Sequence, residues 1–422
     1  MKKSIGLLAL AASLSLSVFA VSPASAQSIN VLGHRVHQSV STGESAGTTG
    51  GDVTEAWRSD NGDINWITAD VTPIHDRLFR EMTLDAGNID LAFFLNRFVS
   101  PDVFELLEPL DGYQAENPIE GFDGLSQGMR DAMTYDGKLY GIPFRHATNA
   151  LIYNSKILAD QGIESIPETF AELVDLAIAI HEKNPEVYGF ANHSGTSPTF
   201  ILNLALAHGV QFLEPDYTLN AETPEFIETL ETLKRLYDNG GLVRDYISGN
   251  LDTIIADMQA GRAALSLNPF GRVAVLNDAA LSRFPGDIKA VAVPADPNGV
   301  TPAQTEVWYL VIPKNSTNKE LAWSLIRALS SPEATVREAL NGNGPVRSGA
   351  YQDPRIVAAN PAAEEEAQSV ASARVAFPGF DQAARAQEIL SEEADAMLLG
   401  RQTAAEAAAN MQARISPLLP AK

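Results

Sequence analysis

Cysteine is absent from all 422 residues of the chain. This absence excludes a disulfide framework, a thiolate metal site and a cysteine nucleophile. It also excludes a lipid anchor attached to an N-terminal cysteine. We therefore expect a redox-silent protein that is held together by its hydrophobic core alone.

Basic residues are scarce. The chain has 30 Lys and Arg against 53 Asp and Glu, which gives a formal net charge of −23. A surface of this sign repels phosphate backbones and anionic lipid. Nucleic acid and membrane surfaces are therefore poor candidate partners.

Long apolar runs are missing beyond the N-terminus. Residues 1–26 begin with Lys2 and Lys3, continue through a mostly apolar stretch and close on Ala24-Ser25-Ala26, the small-x-small pattern of a signal-peptidase site. A membrane anchor is the alternative, but serines interrupt a stretch shorter than the roughly 20 residues that a spanning helix needs. The sequence predicts a cleaved signal peptide and a soluble, secreted chain.

The rest of the chain alternates between strand and helix patterns. It is longer than a single core usually supports, which favours two lobes. The order β-α-β-α-β near the start predicts a mostly parallel sheet flanked by helices. Its strands fall at 29–32, 64–69 and 89–95, its helices at 52–58 and 74–84, and a glycine-rich loop at 39–51. In such sheets ligands bind beyond the carboxyl ends of the strands.

Two later segments carry a family resemblance. The run from Val307 to Ile312 is apolar without a break and leads into Pro313-Lys314-Asn315, which gives the pattern Trp-x-x-x-Ile-Pro-Lys-Asn from Trp308. Upstream, Gly141-Ile142-Pro143 precedes Tyr153-Asn154. Both segments resemble the family 1 extracellular solute-binding proteins, the sugar receptors of ABC importers.

The resemblance implies a two-lobed α/β type II periplasmic binding protein fold in which the chain crosses between the lobes three times. The lobes would comprise residues 27–145 with 305–342, and 146–304 with 343–422. It further implies a monomeric periplasmic receptor that needs no cofactor, closes on a sugar or related solute, and delivers it to inner-membrane permease subunits. A solute sensor for a chemoreceptor remains the signalling alternative.

A secreted hydrolase is the enzyme alternative. Gly124-Leu125-Ser126-Gln127-Gly128 matches Gly-x-Ser-x-Gly, but a nucleophile elbow needs an apolar strand before it, and residues 118–123 are turn-like. We therefore interpret Ser126 as the N-cap of a short helix. The glycine-rich loop lacks the ending of a phosphate-binding loop, and 53 acidic residues make chance pairs of carboxylates inevitable.

Histidines give the chain a possible metal site, drawn from His34, His37, His146 and His193. No cysteine, clustered carboxylate motif or His-x-x-x-His pair supports that grouping. Hydrogen bonding at a strand end and a structural role are the alternatives. The prediction is that no metal is bound.

Polar groups at predicted strand ends and crossings form the candidate ligand site. Planar amide and guanidinium groups bind sugar hydroxyls, and an aromatic face covers the ring. The predicted ligand-binding residues are His34, Arg35, Asn96, Arg97, Arg145, His146, Asn268, Arg272, Trp308 and Arg347. For Arg145 and Arg347 the alternative is that they are ion-pair partners at the hinge, and for Trp308 it is core packing.

The arginines in this set raise the question of the ligand's charge. Bidentate arginine suits carboxylate or phosphate oxygens, but acidic neighbours such as Asp70, Asp90 or Glu306 could already neutralise them. The sequence therefore favours a neutral sugar as the ligand, with an acidic or phosphorylated sugar as the second candidate. The alanine-rich tail at 361–419 predicts a helical cover for the second lobe, and its acidic run Glu364-Glu365-Glu366 is interpreted as a solvated face.

Overall fold

The computed structural model describes residues 27–44, 48–194 and 198–420. The signal peptide predicted at 1–26 lies outside the described residues. None of the described helices combines the length and the apolar character that a bilayer crossing requires.

The strands match the predicted order. They are β1 (Gln27–Gly33), β2 (Gly62–Thr68), β3 (Leu91–Leu95), β4 (Thr134–Tyr135), β5 (Lys138–Leu139), β6 (Ile142–His146), β7 (Asn149–Asn154), β8 (Tyr188–Phe190), β9 (Ala263–Pro269), β10 (Ile288–Val291) and β11 (Val307–Val311).

Helices fill the connections and the C-terminal tail. They are α1 (Arg35–Thr42), α2 (Glu55–Asn61), α3 (Val71–Met82), α4 (Pro101–Phe104), α5 (Asp111–Glu116), α6 (Gln127–Asp131), α7 (Ser155–Asp160), α8 (Phe170–Lys183), α9 (Thr199–Ala207), α10 (Pro224–Asp238), α11 (Leu251–Ala260), α12 (Val273–Leu276), α13 (Lys319–Leu329), α14 (Pro332–Leu340), α15 (Pro354–Ala359), α16 (Ala363–Ser372), α17 (Ala383–Leu398) and α18 (Ala404–Ile415). Short 3-10 turns include Asn96–Phe98, Phe270–Arg272 and Ser348–Gln352.

Two sheets define two lobes. The first has five strands in the order β2-β1-β3-β11-β6, and the second has four in the order β10-β7-β9-β8. In the first sheet β1 is parallel to β2 and β3, while β11 is antiparallel to both β3 and β6. In the second, β8 and β9 are parallel and β7 is antiparallel to β9 and β10.

Each sheet is thus mostly parallel in direction, with one reversed strand. The reversed strands are β11 and β7, which both enter their sheet directly from the other lobe. The other strands of these two sheets point their carboxyl ends at the cleft, where the two reversed strands begin. β4 and β5 form a separate antiparallel pair. The fold class predicted from the sequence, including the crossings after β6, before β11 and after α14, is confirmed. The residue limits of the lobes remain a prediction.

Each lobe has its own core. In the first, β3 and β11 are buried along their whole length, as expected for strands covered on both faces. In the second, α8, α9 and α10 pack on the sheet together with α17 and α18 from the tail. The predicted helical cover of the second lobe is therefore present.

The predicted glycine-rich loop at 39–51 is partly wrong. Residues 39–42 continue α1, which the His34 ring caps at its N-terminus. The helix ends at Gly43, whose φ of 68° is left-handed and suits glycine. A histidine ring is an unusual N-cap, so the sequence around His34 does not indicate that a helix begins there.

Candidate functional site

A cavity with a volume of about 960 Å³ lies between the lobes. This size is in the range of small-molecule sites. From the first lobe it is lined by α3, by the turn after β3 and by α4. The second lobe contributes Ser194, Pro198, Ile247 and a series of residues from 380 to 395 on and before α17.

Helix α17 presents one face to this cavity. Ala384, Glu388, Ser391 and Asp395 line it at helical spacings of four, three and four residues. The opposite face, which includes Ala386 and Leu390, is buried in the second core. The sequence of α17 shows a stripe of small and polar residues opposite an apolar stripe. It does not show that the polar stripe faces the other lobe.

Asp395 and Ser194 join two walls of the cavity. The Ser194 hydroxyl donates to Asp395 Oδ1 at 2.9 Å. Burial raises the pKa of Asp395, and the bond from Ser194 partly opposes that rise. The sequence does not indicate either residue, because neither lies at the end of a predicted strand or at a predicted crossing.

Arg97 lies on the opposite wall. It follows β3, lines the cavity, and forms an ion pair with Glu306 at 3.3 Å. Its guanidinium group also lies 5.4 Å from the centre of the Phe98 ring. Of the ten predicted site residues, Arg97 alone belongs to the lining of this cavity, and its neighbour Asn96 instead accepts a bond from the Val307 N–H at 2.9 Å.

Trp308 packs inside the first lobe. It is 6% exposed, and its ring centre lies 4.5 Å from that of His37 and 5.7 Å from that of His75. Burial lowers the pKa of His37 well below its ordinary value and that of His75 to about 4, so both rings are neutral. The core alternative therefore describes Trp308 better than a sugar-stacking role.

His146 joins a buried network at the hinge. Its Nδ1 accepts from the Thr148 N–H at 3.3 Å, which leaves Nε2 to donate to the Tyr351 hydroxyl 2.6 Å away. Tyr351 in turn hydrogen-bonds Glu366, which also accepts from Asn360 at 2.7 Å. The ring nitrogens of His146 are thus occupied within the protein, and the residue links the first crossing to the chain that follows the third.

The same network corrects the interpretation of the acidic run in the tail. Glu366 is 6% exposed rather than solvated, while Glu364 on the same helix is exposed. Burial raises the pKa of Glu366 to about 7 despite its hydrogen bonds. The pKa of His146 is lowered by burial, and further by Arg145, to about 3.

Arg347 and Asn268 make hydrogen bonds to groups within the protein. Arg347 is 5% exposed and donates to the carbonyl groups of Gly121, Glu120 and Ser330. Asn268 is buried in β9 and donates to the Ser266 hydroxyl at 2.6 Å. Asn268 lies near the end of a strand and Arg347 lies at a crossing, as predicted. Their side chains turn into the lobes, so neither belongs to the candidate site.

Arg145 and Arg272 belong to opposite lobes and lie near the hinge. Arg145 belongs to β6 and pairs with Trp308 across the ladder. Arg272 closes the 3-10 turn after β9, and that turn is bonded to the hinge because the Phe270 N–H donates to the Thr148 carbonyl at 3.2 Å. We refer to these two residues as the hinge arginines.

His34 and Arg35 complete the predicted set. His34 Nδ1 accepts from the Val36 N–H at 3.2 Å, and Nε2 lies 3.9 Å from Asp70. Burial lowers the pKa of His34, Asp70 opposes the change, and the charges of Arg145, Arg35 and Arg272 lower it further. His34 is therefore within electrostatic reach of the hinge arginines, whereas Arg35 is exposed at the start of α1.

The residues considered for catalysis and for metal binding do not form a catalytic or metal site in the described part of the fold. Ser126 occupies the N-cap position of α6 without a side-chain capping bond, and it follows a 3-10 turn rather than a strand. Within residues 27–44, 48–194 and 198–420, no three His, Asp or Glu side chains are grouped as a metal site would require.

Comparison with known proteins identifies the family. A sequence model described as "Bacterial extracellular solute-binding protein" matches residues 84–336, more than half of the chain. The chain belongs to this family. A protein of Brucella abortus that carries the name of a binding protein is 26% identical over 283 residues, which are 65% of this chain and 66% of that protein. The maltotriose-binding protein of Pyrococcus abyssi is 27% identical over 265 residues, 60% of this chain and 53% of that protein.

A solved structure supports the fold over nearly the full length. The ABC transporter solute-binding protein of Agrobacterium radiobacter K84 in complex with ribitol has a TM-score of 0.78 at 16% identity, and the match covers 93% of this chain and 98% of that chain. At this identity the likeness shows the two-lobed fold. The aligned parts of the curated relatives span about half to two thirds of their length.

Proposed function

We propose that this member of the family is the solute receptor of an ABC importer. It binds a sugar, a polyol or a derivative of one between its lobes and delivers it to inner-membrane permease subunits. The observation that carries the proposal is the cavity of about 960 Å³ lined by both lobes. Maltotriose and ribitol are the compounds named for two of the similar proteins.

The remaining parts of the proposal concern chemistry and location. The protein is a binding protein without catalytic activity, since Ser126 lacks the strand that an elbow requires. It is exported through a cleaved signal peptide at 1–26, works in the periplasm and acts as a monomer. The crossings between the lobes permit a bending motion that closes the cleft on the solute.

A thermal-shift screen of sugars and polyols tests the proposal. A solute that binds only the folded chain adds about 2.7 kcal/mol of stability at 100 times its Kd. We expect a saturable shift with one compound, recovery of that compound unchanged by mass spectrometry, and a smaller radius of gyration in small-angle scattering at saturation. Turnover of the compound would refute the receptor function, and an unchanged radius would count against closure.

A blocking variant tests the location of the site. Ala384 is exposed on α17 and lines the cavity. Ala384→Trp should fill the space a solute occupies and weaken binding by at least about tenfold, because such sites enclose most of their ligand. Ala409→Trp, at an exposed position of α18 outside the cavity lining, is the matched control. Equal affinity in both variants would place the solute elsewhere.

A further inference from the structure

The hinge arginines have no carboxylate partner. Among the described residues, no Asp or Glu oxygen lies within 4.0 Å of a guanidinium nitrogen of Arg145 or Arg272. The Nε of Arg145 is buried and makes no hydrogen bond. A buried donor without a partner is costly, more so on a charged group.

The acidic neighbours considered from the sequence are engaged elsewhere. Asp90 accepts bonds from Asn30, Ser316 and Asn318 inside the first lobe. Asp70 lies beside His34 with its side chain 93% exposed. Glu306 pairs with Arg97 and is close enough to Arg145 to act on it, but it is one carboxylate beside two arginines.

The two guanidinium groups also act on each other. The pKa of Arg145 is lowered to about 10 by burial first and by the charge of Arg272 second, while Glu306 opposes the change. Burial lowers the pKa of Arg272 as well. Guanidinium groups stay protonated at neutral pH, so this edge of the cleft holds two arginine charges near the single carboxylate of Glu306, in a chain of net charge −23.

Their positions link this charge to closure. Arg145 belongs to the first lobe and Arg272 to the second, so any motion that brings the lobes together at this edge raises their repulsion. An anion bound between them would attract both guanidinium groups, so closure would become favourable there. It would also provide an acceptor for the unpartnered Nε of Arg145.

We propose that the hinge arginines bind an anionic group of the solute, a carboxylate, sulfate or phosphate, between the two lobes. This inference rests on the proposed function, because it assigns a charge to the solute of that same cleft. Arg97 lines the cavity and pairs with Glu306, which in turn acts on Arg145, so the anionic group would lie at the hinge end and the uncharged part in the cavity.

Matched pairs of compounds test the proposal by isothermal titration calorimetry. The pairs are glucuronate and glucose, galacturonate and galactose, and glycerol 3-phosphate and glycerol, with inorganic phosphate and sulfate alone as further probes. We expect an anionic member to bind at least about tenfold more tightly than its neutral partner, with affinity that falls as salt rises from about 20 to about 500 mM.

Variants locate the effect. Arg145→Gln and Arg272→Gln should each remove the preference for the anion, while Arg145→Lys should retain part of it because the charge stays. Arg244→Gln, at an exposed position of the second lobe, is the control and should bind like the wild-type chain. The melting temperature of each variant shows whether it folds.

The outcomes separate this inference from the proposed function. A neutral compound that binds as tightly as its anionic partner, or a preference that survives both glutamine variants, overturns the inference and leaves a receptor. A phosphate or sulfate effect lost in those variants, without binding of any sugar or polyol, supports the anion site and counts against the sugar receptor. No binding of any probe contradicts both.

Discussion

Glu366 should make the stability of the protein depend on pH. Its pKa is raised from an ordinary 4.5 to about 7 by burial, so the folded protein holds a proton there that the unfolded chain has already released. A carboxyl group of this kind stabilises the fold below pH 4.5, and that contribution is lost as the pH rises through about 7. The difference between the two pKa values corresponds to about 3 kcal/mol.

Glu366→Gln removes the titration and keeps the shape. The amide side chain can still accept from Asn360 and contact Tyr351, and it carries no charge at any pH. Urea unfolding followed by tryptophan fluorescence gives the free energy of unfolding at pH 5 and at pH 8. Relative to the wild-type protein, the variant should gain up to about 3 kcal/mol between these two pH values.

The control is Glu364→Gln, which changes an exposed glutamate on the same helix and should follow the wild-type profile. His146 contributes in the opposite direction, since its lowered pKa adds stability that is present above pH 6.5 and lost as the pH falls toward 3. That contribution is common to all three proteins and cancels in the comparison. Parallel profiles for wild type and Glu366→Gln would refute the reasoning.

Two further predictions concern the hinge. Arg347→Met should cost about 3 kcal/mol of stability in urea unfolding, because three carbonyl groups lose their donor. Calorimetry should show unchanged solute affinity. Weaker binding at unchanged stability would return Arg347 to the ligand site. Gly344→Ala should lower the melting temperature, because its Cβ would meet the backbone of His146, whereas Gly349→Ala, with open space around it, should not. Equal melting temperatures for the two glycine variants would show that the third crossing adjusts freely.

Local sequence patterns were sufficient to predict the fold. The unbroken apolar run from Val307 to Ile312 identified β11, and the alternation of strand and helix patterns near the start of the chain identified β1, β2 and β3. These signals depend on period and on neighbours within a few residues, so they can be read along the chain. The fold class and the family follow from such segments.

The sequence also predicted which ends of the strands face the cleft, but not which side chains do. Arg97 and Arg347 have the same chemistry at similar positions, yet one lines the cavity and the other bonds carbonyl groups inside a lobe. The choice depends on partners more than 200 residues away, such as Glu306 for the first and Glu120 for the second.

The C-terminal tail shows most clearly what the sequence predicts and what only the tertiary structure decides. Its alanine content predicts helices from intrinsic propensity, and the structure has them. The sequence treats Glu364, Glu365 and Glu366 alike, but only packing of α16 against the hinge buries Glu366 beside Tyr351 and His146. Propensity and period are properties of the chain itself, whereas burial, pairing and pKa depend on which distant segments fold against a residue, and these only the tertiary structure decides.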